Sequence, residues 1–213
     1  MKFSLTDYRE VRKFFIIFYV VGTLGMVIPY TQQLFFRLIP YTLLLNVAYL
    51  TFFHEDKKSL KTLLAFLFIG ISSFFIEMIG VESGLIFGSY AYADGLGLKW
   101  HDTPLIIGVN WILLVYCSAV MLEQTKFNTI TKIIAASGLM LAYDVVMEIA
   151  APKMTMWEFP NSQDLIRNYI AWFVIALFFH SLLKLLKIKL KNPLASTIFI
   201  CQFLFFILLA LLL

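Results

Sequence analysis

Charged side chains are scarce in this chain. Asp, Glu, Lys and Arg supply only 14% of the 213 residues, while 61% are hydrophobic and the mean hydropathy is +0.86. A water-soluble domain of this length needs more charge to cover its surface, so most apolar side chains must face lipid or one another within it. Cysteine is nearly absent. Cys117 and Cys201 both fall inside apolar stretches, which argues against a disulfide framework and a thiolate metal site. The three histidines are dispersed, and no Cys/His spacing resembles a zinc or iron site. His180 reads as a packed histidine inside an apolar run and His54 as a solvated one at a helix end. His101, beside Asp102, has no second histidine to share a ligand.

The formal net charge is +4 and the pI near 9.0. A basic excess can mark a nucleic-acid partner, but here lysines and arginines lie in short runs between apolar stretches, so no nucleic acid is expected. They read instead as topology signals. A bilayer core takes roughly 20 apolar residues per helix, and the sequence divides into runs of about that length. These are Phe14 to Tyr30, Leu34 to Phe53, Leu60 to Ile79, Pro104 to Leu122, Ile130 to Ala150, Asn168 to Leu186 and Leu194 to Leu213. The basic start followed by an apolar run imitates a signal peptide. No small-residue cleavage site follows before Pro29, however, so the run reads as a retained first helix. The expected fold is all-α: one transmembrane domain over residues 1–213, a polytopic bundle of about seven helices.

Orientation follows from the basic residues. With the N-terminus cytoplasmic, the inner segments hold Lys2, Arg9, Arg12, Lys13, Lys57, Lys58, Lys61, Lys126, Lys132, Lys184, Lys187, Lys189 and Lys191, which is 13 of the 17. The outer side keeps Arg37, Lys99, Lys153 and Arg167. Losing one span would mix the two sets.

An ionisable side chain inside a bilayer costs a few kcal/mol, and here such side chains gather at one depth. The third expected helix meets Glu77 just before it ends at Gly80, and the fifth carries Asp144 and Glu148 in its last two turns. The fourth reaches Asn110 and Trp111 about 9 Å below Pro104, at 1.5 Å per residue, and the sixth opens with Asn168, Tyr169 and Trp172. Asp144 and Glu148, four residues apart, share a helical face. Two carboxylates so close in a dry setting should not both be ionised, and a neutral carboxylic acid is what general-acid chemistry needs. The plainer reading pairs these acids with Arg167, Lys153 or Asn168 as polar glue between helices.

The two outer loops are the longest. Between Gly80 and Pro104 lie Gly84, Gly88, Gly95 and Gly97 among Phe87, Tyr90, Tyr92 and Trp100. Trp100 suits an interfacial aromatic belt; the stretch from Phe87 to Tyr92 either joins that belt or folds back as a lid. The second loop, Ala151 to Arg167, carries Trp157 and Glu158 and is equally able to cover a cavity.

With those residues in hand, the chain resembles the membrane-bound carotenoid biosynthesis protein family of the carotenoid hydratase type, which includes the hydratases of γ-carotene and bisanhydrobacterioruberin. One block is Glu77, Gly80, Gly84, Phe87, Gly88, Tyr90 and Tyr92, followed by Gly97, Pro104, Asn110 and Trp111. The other is Asp144, Glu148, Trp157, Asn168, Tyr169 and Trp172. Together they run from Glu77 to Trp172, nearly half the chain. The chain departs from the family in having Ile149 where proline often follows the acid, with Pro152 placed later.

The resemblance implies addition of water to the terminal double bond of an acyclic carotenoid end group, giving a tertiary alcohol, in a bacterial or archaeal inner membrane and with no cofactor. Asp144 or Glu148 would protonate the alkene, and Glu77 would position or deprotonate the water. Tyr90, Tyr92, Trp111, Trp157 and Trp172 would stabilise the cation, a contact worth about 2 kcal/mol when desolvated. With Phe87, Asn110, Asn168 and Tyr169 they form the expected substrate-binding set. A carotenoid or other polyisoprenoid, membrane lipid and other enzymes of the pathway are the expected partners. Two other classes compete. A non-catalytic carotenoid or lipid binder would use the same polar cluster only to orient an end group. A proton-coupled transporter fits less well, because the polar residues occupy only the outer third and the inner halves offer little beyond His180, Asn46 and Gln202. A retinal photoreceptor would want a mid-membrane lysine, and a magnesium-dependent prenyltransferase more basic residues near the acids.

Overall fold

A computed structural model describes residues 6–55, 59–160 and 162–213. Lys2, Lys57 and Lys58 of the orientation argument lie outside the described residues. Among the described residues eight α-helices dominate: α1 (Tyr8–Val27), α2 (Pro29–Arg37), α3 (Ile39–Phe52), α4 (Leu60–Ser83), α5 (Ile106–Glu123), α6 (Thr129–Ala150), α7 (Ser162–Leu185) and α8 (Ala195–Leu212). Four two-residue strands lie in the long loops: β1 (Ala91–Tyr92), β2 (Lys99–Trp100), β3 (Thr103–Pro104) and β4 (Trp157–Glu158).

Five of the helices, α4 to α8, are long and apolar enough to cross a membrane, and α2 with α3 makes a sixth if the bent pair is one span. The surface bears this out. Leu63, Leu67, Ile71, Phe75 and Ile79 form an exposed stripe on α4, and Ile166, Ile170, Val174 and Phe178 form another on α7. Exposed apolar stripes of that length suit contact with lipid. The expected seventh span corresponds to α1, whose first two turns hold Arg9, Glu10, Arg12 and Lys13.

The second expected span, Leu34 to Phe53, is not one straight helix. It breaks at Leu38 and bends by 54°. Pro40 has no N–H for the Phe36 carbonyl and its ring crowds that carbonyl, so the helix cannot run through. The first span ends at Val27 rather than Tyr30 because Pro29 follows. There the Gly25 carbonyl takes the Thr31 hydroxyl at 2.8 Å and the Met26 carbonyl takes the Gln32 amide at 3.0 Å. Side chains thus replace the lost backbone donors, as a bilayer requires.

The central helix is α5, which packs against α3, α4, α6, α7 and α8. Leu113, Leu114, Val115, Cys117 and Val120 are wholly buried on it, so it is apolar all round. Gly70 of α4 meets Gly108 of α5 so closely that a Cβ on Gly108 would overlap the Gly70 carbonyl oxygen. That approach holds the Glu77 end of α4 against the Trp111 end of α5. The expected end of this span at Gly80 is three residues early. The helix continues to Ser83, and Gly84, at φ +64°, turns the chain out of it.

At the far end of the bundle His54 is not solvated, as its position had suggested, but buried. Its Nδ1 lies 2.8 Å from the Tyr116 hydroxyl, and Asn192 donates to the same hydroxyl at 3.0 Å. The α5 helix reaches deep enough there to cover it.

Candidate active site

Glu77 sits on the inward face of α4 and is almost fully buried. One carboxylate oxygen accepts the Tyr90 hydroxyl at 2.6 Å and the Tyr92 hydroxyl at 3.1 Å; the other accepts the Trp111 indole N–H at 3.1 Å. Tyr90 and Tyr92 are two residues apart on extended chain, so both rings point the same way. Burial pushes both phenols well above their usual ionisation range, which keeps them protonated as donors.

Asp144 and Glu148 lie on one face of α6, as their spacing requires. Asn168 of α7 joins them, its amide donating to Asp144 at 2.9 Å and to Glu148 at 3.2 Å. The Trp157 indole donates to the other oxygen of Glu148 at 2.9 Å. Asp144 is fully buried, and its Oδ1 has no hydrogen-bond partner among the described residues. Neither nearby cation compensates these acids. Lys153 donates to the Ala210 carbonyl at 2.8 Å and Arg167 to the Gly84 carbonyl at 3.2 Å. Of the three glue partners considered above, only Asn168 reaches the carboxylates.

The two long loops form one cover. Strands β1 and β4 pair antiparallel, with Ala91 opposite Glu158 and Tyr92 opposite Trp157. The pairing continues through Ala93 N–H to the Met156 carbonyl and Gly95 N–H to the Thr155 carbonyl, both 2.9 Å. The Tyr92 and Trp157 rings meet edge to face at 5.8 Å. Beneath this ribbon is a cavity of about 20 Å³ lined by Glu77, Tyr90, Tyr92, Asn110, Glu148, Trp157, Asn168 and Trp172. That is room for about one water. Trp111 does not line the cavity but stands beside it, stacked on the lining residue Trp172 at 4.2 Å.

The remaining expected site residues stand outside this lining. Asp144 lies behind the wall and touches the cavity only through Asn168. Phe87 is wholly buried, packed over Gly80 and edge-on to Tyr90 at 6.1 Å, where it braces the cover. Tyr169 is half-buried and does not line the cavity. Helix α7 begins at Ser162, so Asn168 sits well inside it rather than at its start. His180 is a packed histidine, held between Ser118 at 2.9 Å and Ser137 at 3.2 Å. His101 meets Glu82 at 2.7 Å on the exposed rim.

Three lining residues escaped the sequence reading: Ile107, Met147 and Phe159. Phe159 stacks on Tyr90 at 5.0 Å; its one signal was its place two residues after Trp157. Among the described residues no group of three or more His, Cys, Asp and Glu side chains is arranged to hold a metal ion.

The sequence matches the carotenoid biosynthesis protein family over residues 14–213, a span that contains every residue of this cavity. The chain belongs to that family. Neither the curated proteins nor the solved structures compared with it give a significant match. Family membership assigns the chain a role in carotenoid biosynthesis, and the apolar helices assign it to a membrane. Within that role, the cavity provides two carboxylates, two amides and several aromatic faces around a space for one small molecule.

Proposed function

We propose that this family member is a carotenoid hydratase, which adds water across the terminal trisubstituted double bond of an acyclic carotenoid end group. The observation that carries the proposal is the water-sized cavity lined by Glu77 and Glu148, with no cation paired to either among the described residues.

Hydrating an unactivated alkene needs a proton donor, a means of tolerating a tertiary cation and one admitted water. Glu148 suits the donor's role because it lines the cavity, whereas Asp144 does not. Its proton goes to the less substituted alkene carbon, leaving the cation on the other. Tyr92, Trp157 and Trp172 line the cavity, and an aromatic face that meets the cation contributes about 0.5–2 kcal/mol of cation–π attraction. Glu77, which accepts three hydrogen bonds, suits the anionic role. It orients the water and takes its proton as the carbon–oxygen bond forms. Return of that proton from Glu77 to Glu148 through the next water restores the site, and the net change is one water added. Asn168 holds Asp144 and Glu148 in register, and Asn110 gives the water a further partner.

The proposal extends to topology. Exposed Ile16, Val20 and Leu24 on α1 continue the lipid-facing surface. They support α1 as a seventh span, and with that span the uneven distribution of lysines and arginines supports an N-terminus in the cytoplasm and a site on the outer side of the membrane, which we take to be a bacterial or archaeal inner membrane. Expression in lycopene-accumulating cells tests the chemistry: extracted pigment should gain the mass of one water per reacted end group. Pigment that copurifies with the protein at unchanged mass would favour a carotenoid binder instead.

A further inference from the structure

The acid-lined cavity does not stand alone. It shares Ile107, Asn110, Met147 and Trp157 with a second cavity of about 40 Å³ in the middle of the bundle. That one shares Tyr19, Met26, Thr42 and Phe205 with a third, of about 310 Å³, between α1 and the α2–α3 bend. The mouth of the third is set by Val21, Leu38 and Tyr41, all exposed on the lipid-facing surface.

The gap has an identifiable origin. Pro29 ends α1, Pro40 bends α2 away from α3, and Gly22 puts no side chain into the space between. Its lining is almost entirely apolar, as a hydrocarbon requires and water does not. The central cavity, at about 40 Å³, is small, but Met26, Met147 and Met156 line it. Unbranched methionine side chains with three rotatable bonds re-pack readily around a guest. Gln202 also faces this cavity, and its Oε1 is buried without a hydrogen-bond partner among the described residues. A hydrocarbon leaves that acceptor idle, whereas a hydroxylated end group on its way out satisfies it.

We propose that the opening between α1 and the α2–α3 bend is a lateral portal. Through it an acyclic isoprenoid chain enters end-first from the bilayer core and reaches the acid-lined cavity by way of the methionine-walled passage. This inference rests on the hydratase reading for what happens at the inner end, but not for the binding of the chain itself. The occupant is the long hydrocarbon of the substrate, because the opening faces lipid, its lining is almost entirely apolar and the passage it joins reaches the reactive cavity.

Gly22→Trp tests it. A Cβ at Gly22 would meet only the Phe205 ring, at an ordinary 3.5 Å, so the backbone accepts a side chain there while an indole fills the groove. Leu45→Trp blocks from the opposite wall, and Leu63→Trp, on the exposed face of α4, is the control. Each variant is purified from lycopene-accumulating cells, checked for an unchanged melting temperature, and assayed for bound pigment by absorbance. Gly22→Trp and Leu45→Trp should each lower bound pigment at least tenfold, and Leu63→Trp should leave it unchanged. Wild-type pigment occupancy in both groove variants would overturn the portal. The two readings fail separately: protein that binds pigment through the groove without hydrating it retains the portal and loses the hydratase. Hydration that continues unchanged in both groove variants does the reverse.

Discussion

Tyr92 on β1 lies directly opposite Trp157 on β4, and from that single cross-strand pair two hydrogen bonds diverge to two different carboxylates. The Tyr92 hydroxyl goes to Glu77 and the Trp157 indole to Glu148. Opposed side chains on paired strands share a face, so the ribbon that closes the cavity also sets the orientation of both acids.

The consequences of cutting these two bonds differ. Glu77 keeps Tyr90 and Trp111 when Tyr92 is replaced by Phe, whereas among the described residues Glu148 keeps only Asn168 when Trp157 is replaced by Phe. Glu148 becomes charged as it gives up its proton, and a hydrogen bond to a charged group contributes about 1.5–3 kcal/mol. Trp157→Phe is therefore expected to slow product formation by roughly ten- to a hundredfold, and Tyr92→Phe by less. Initial rates of pigment conversion in membranes check the order; equal effects would contradict it.

Helix packing offers two glycines with opposite outcomes. Gly108→Val would push α5 off the Gly70 carbonyl and separate Trp111 from Glu77, lowering the melting temperature and activity together. Gly138, inside α6, has open space where its Cβ would be. Gly138→Ala should leave activity intact and stabilise the protein by roughly 0.5–1 kcal/mol through helix propensity. Thermal unfolding in detergent reports both.

Alkaline pH tests the burial of the cover. Tyr90 and Tyr92 ionise above their usual value in the folded protein because they are buried, and near the ordinary tyrosine value once unfolded. The unfolded chain therefore loses those protons first, so their contribution to stability is fully present below about pH 10 and falls as pH rises beyond it. A Tyr90→Phe/Tyr92→Phe double variant should show a shallower loss of stability between neutral and strongly alkaline pH than the wild type. Denaturant titrations across that range give the slopes.

Much of this arrangement was legible in the sequence. Charge scarcity and apolar runs mark the helices α4 to α8, and the depth at which Glu77, Asn110, Glu148, Asn168 and Trp172 fall places them together. The cover was visible only as two aromatic, turn-rich loops. Strands of two residues carry no alternation to read, and the Tyr92–Trp157 pairing spans more than sixty positions of chain. The difference between Asp144 and Glu148 was out of reach for another reason. One helical turn separates them by about 6 Å along the axis, and a cavity holding about one water admits only the nearer. Pro40 did signal the break in the second span, but apolar continuity outweighed it. His54 followed the general rule that helix ends are wet, which the depth of α5 overrides.

Heavy-oxygen water tests the central claim most directly. Purified wild-type protein and Glu148→Gln, matched for melting temperature and bound pigment, are incubated with an acyclic carotenoid in labelled water, and the product is analysed by mass. Wild type should place one labelled oxygen in each new tertiary hydroxyl, and Glu148→Gln should place none. Label incorporation by Glu148→Gln at the wild-type rate, or none by the wild type, would contradict the account.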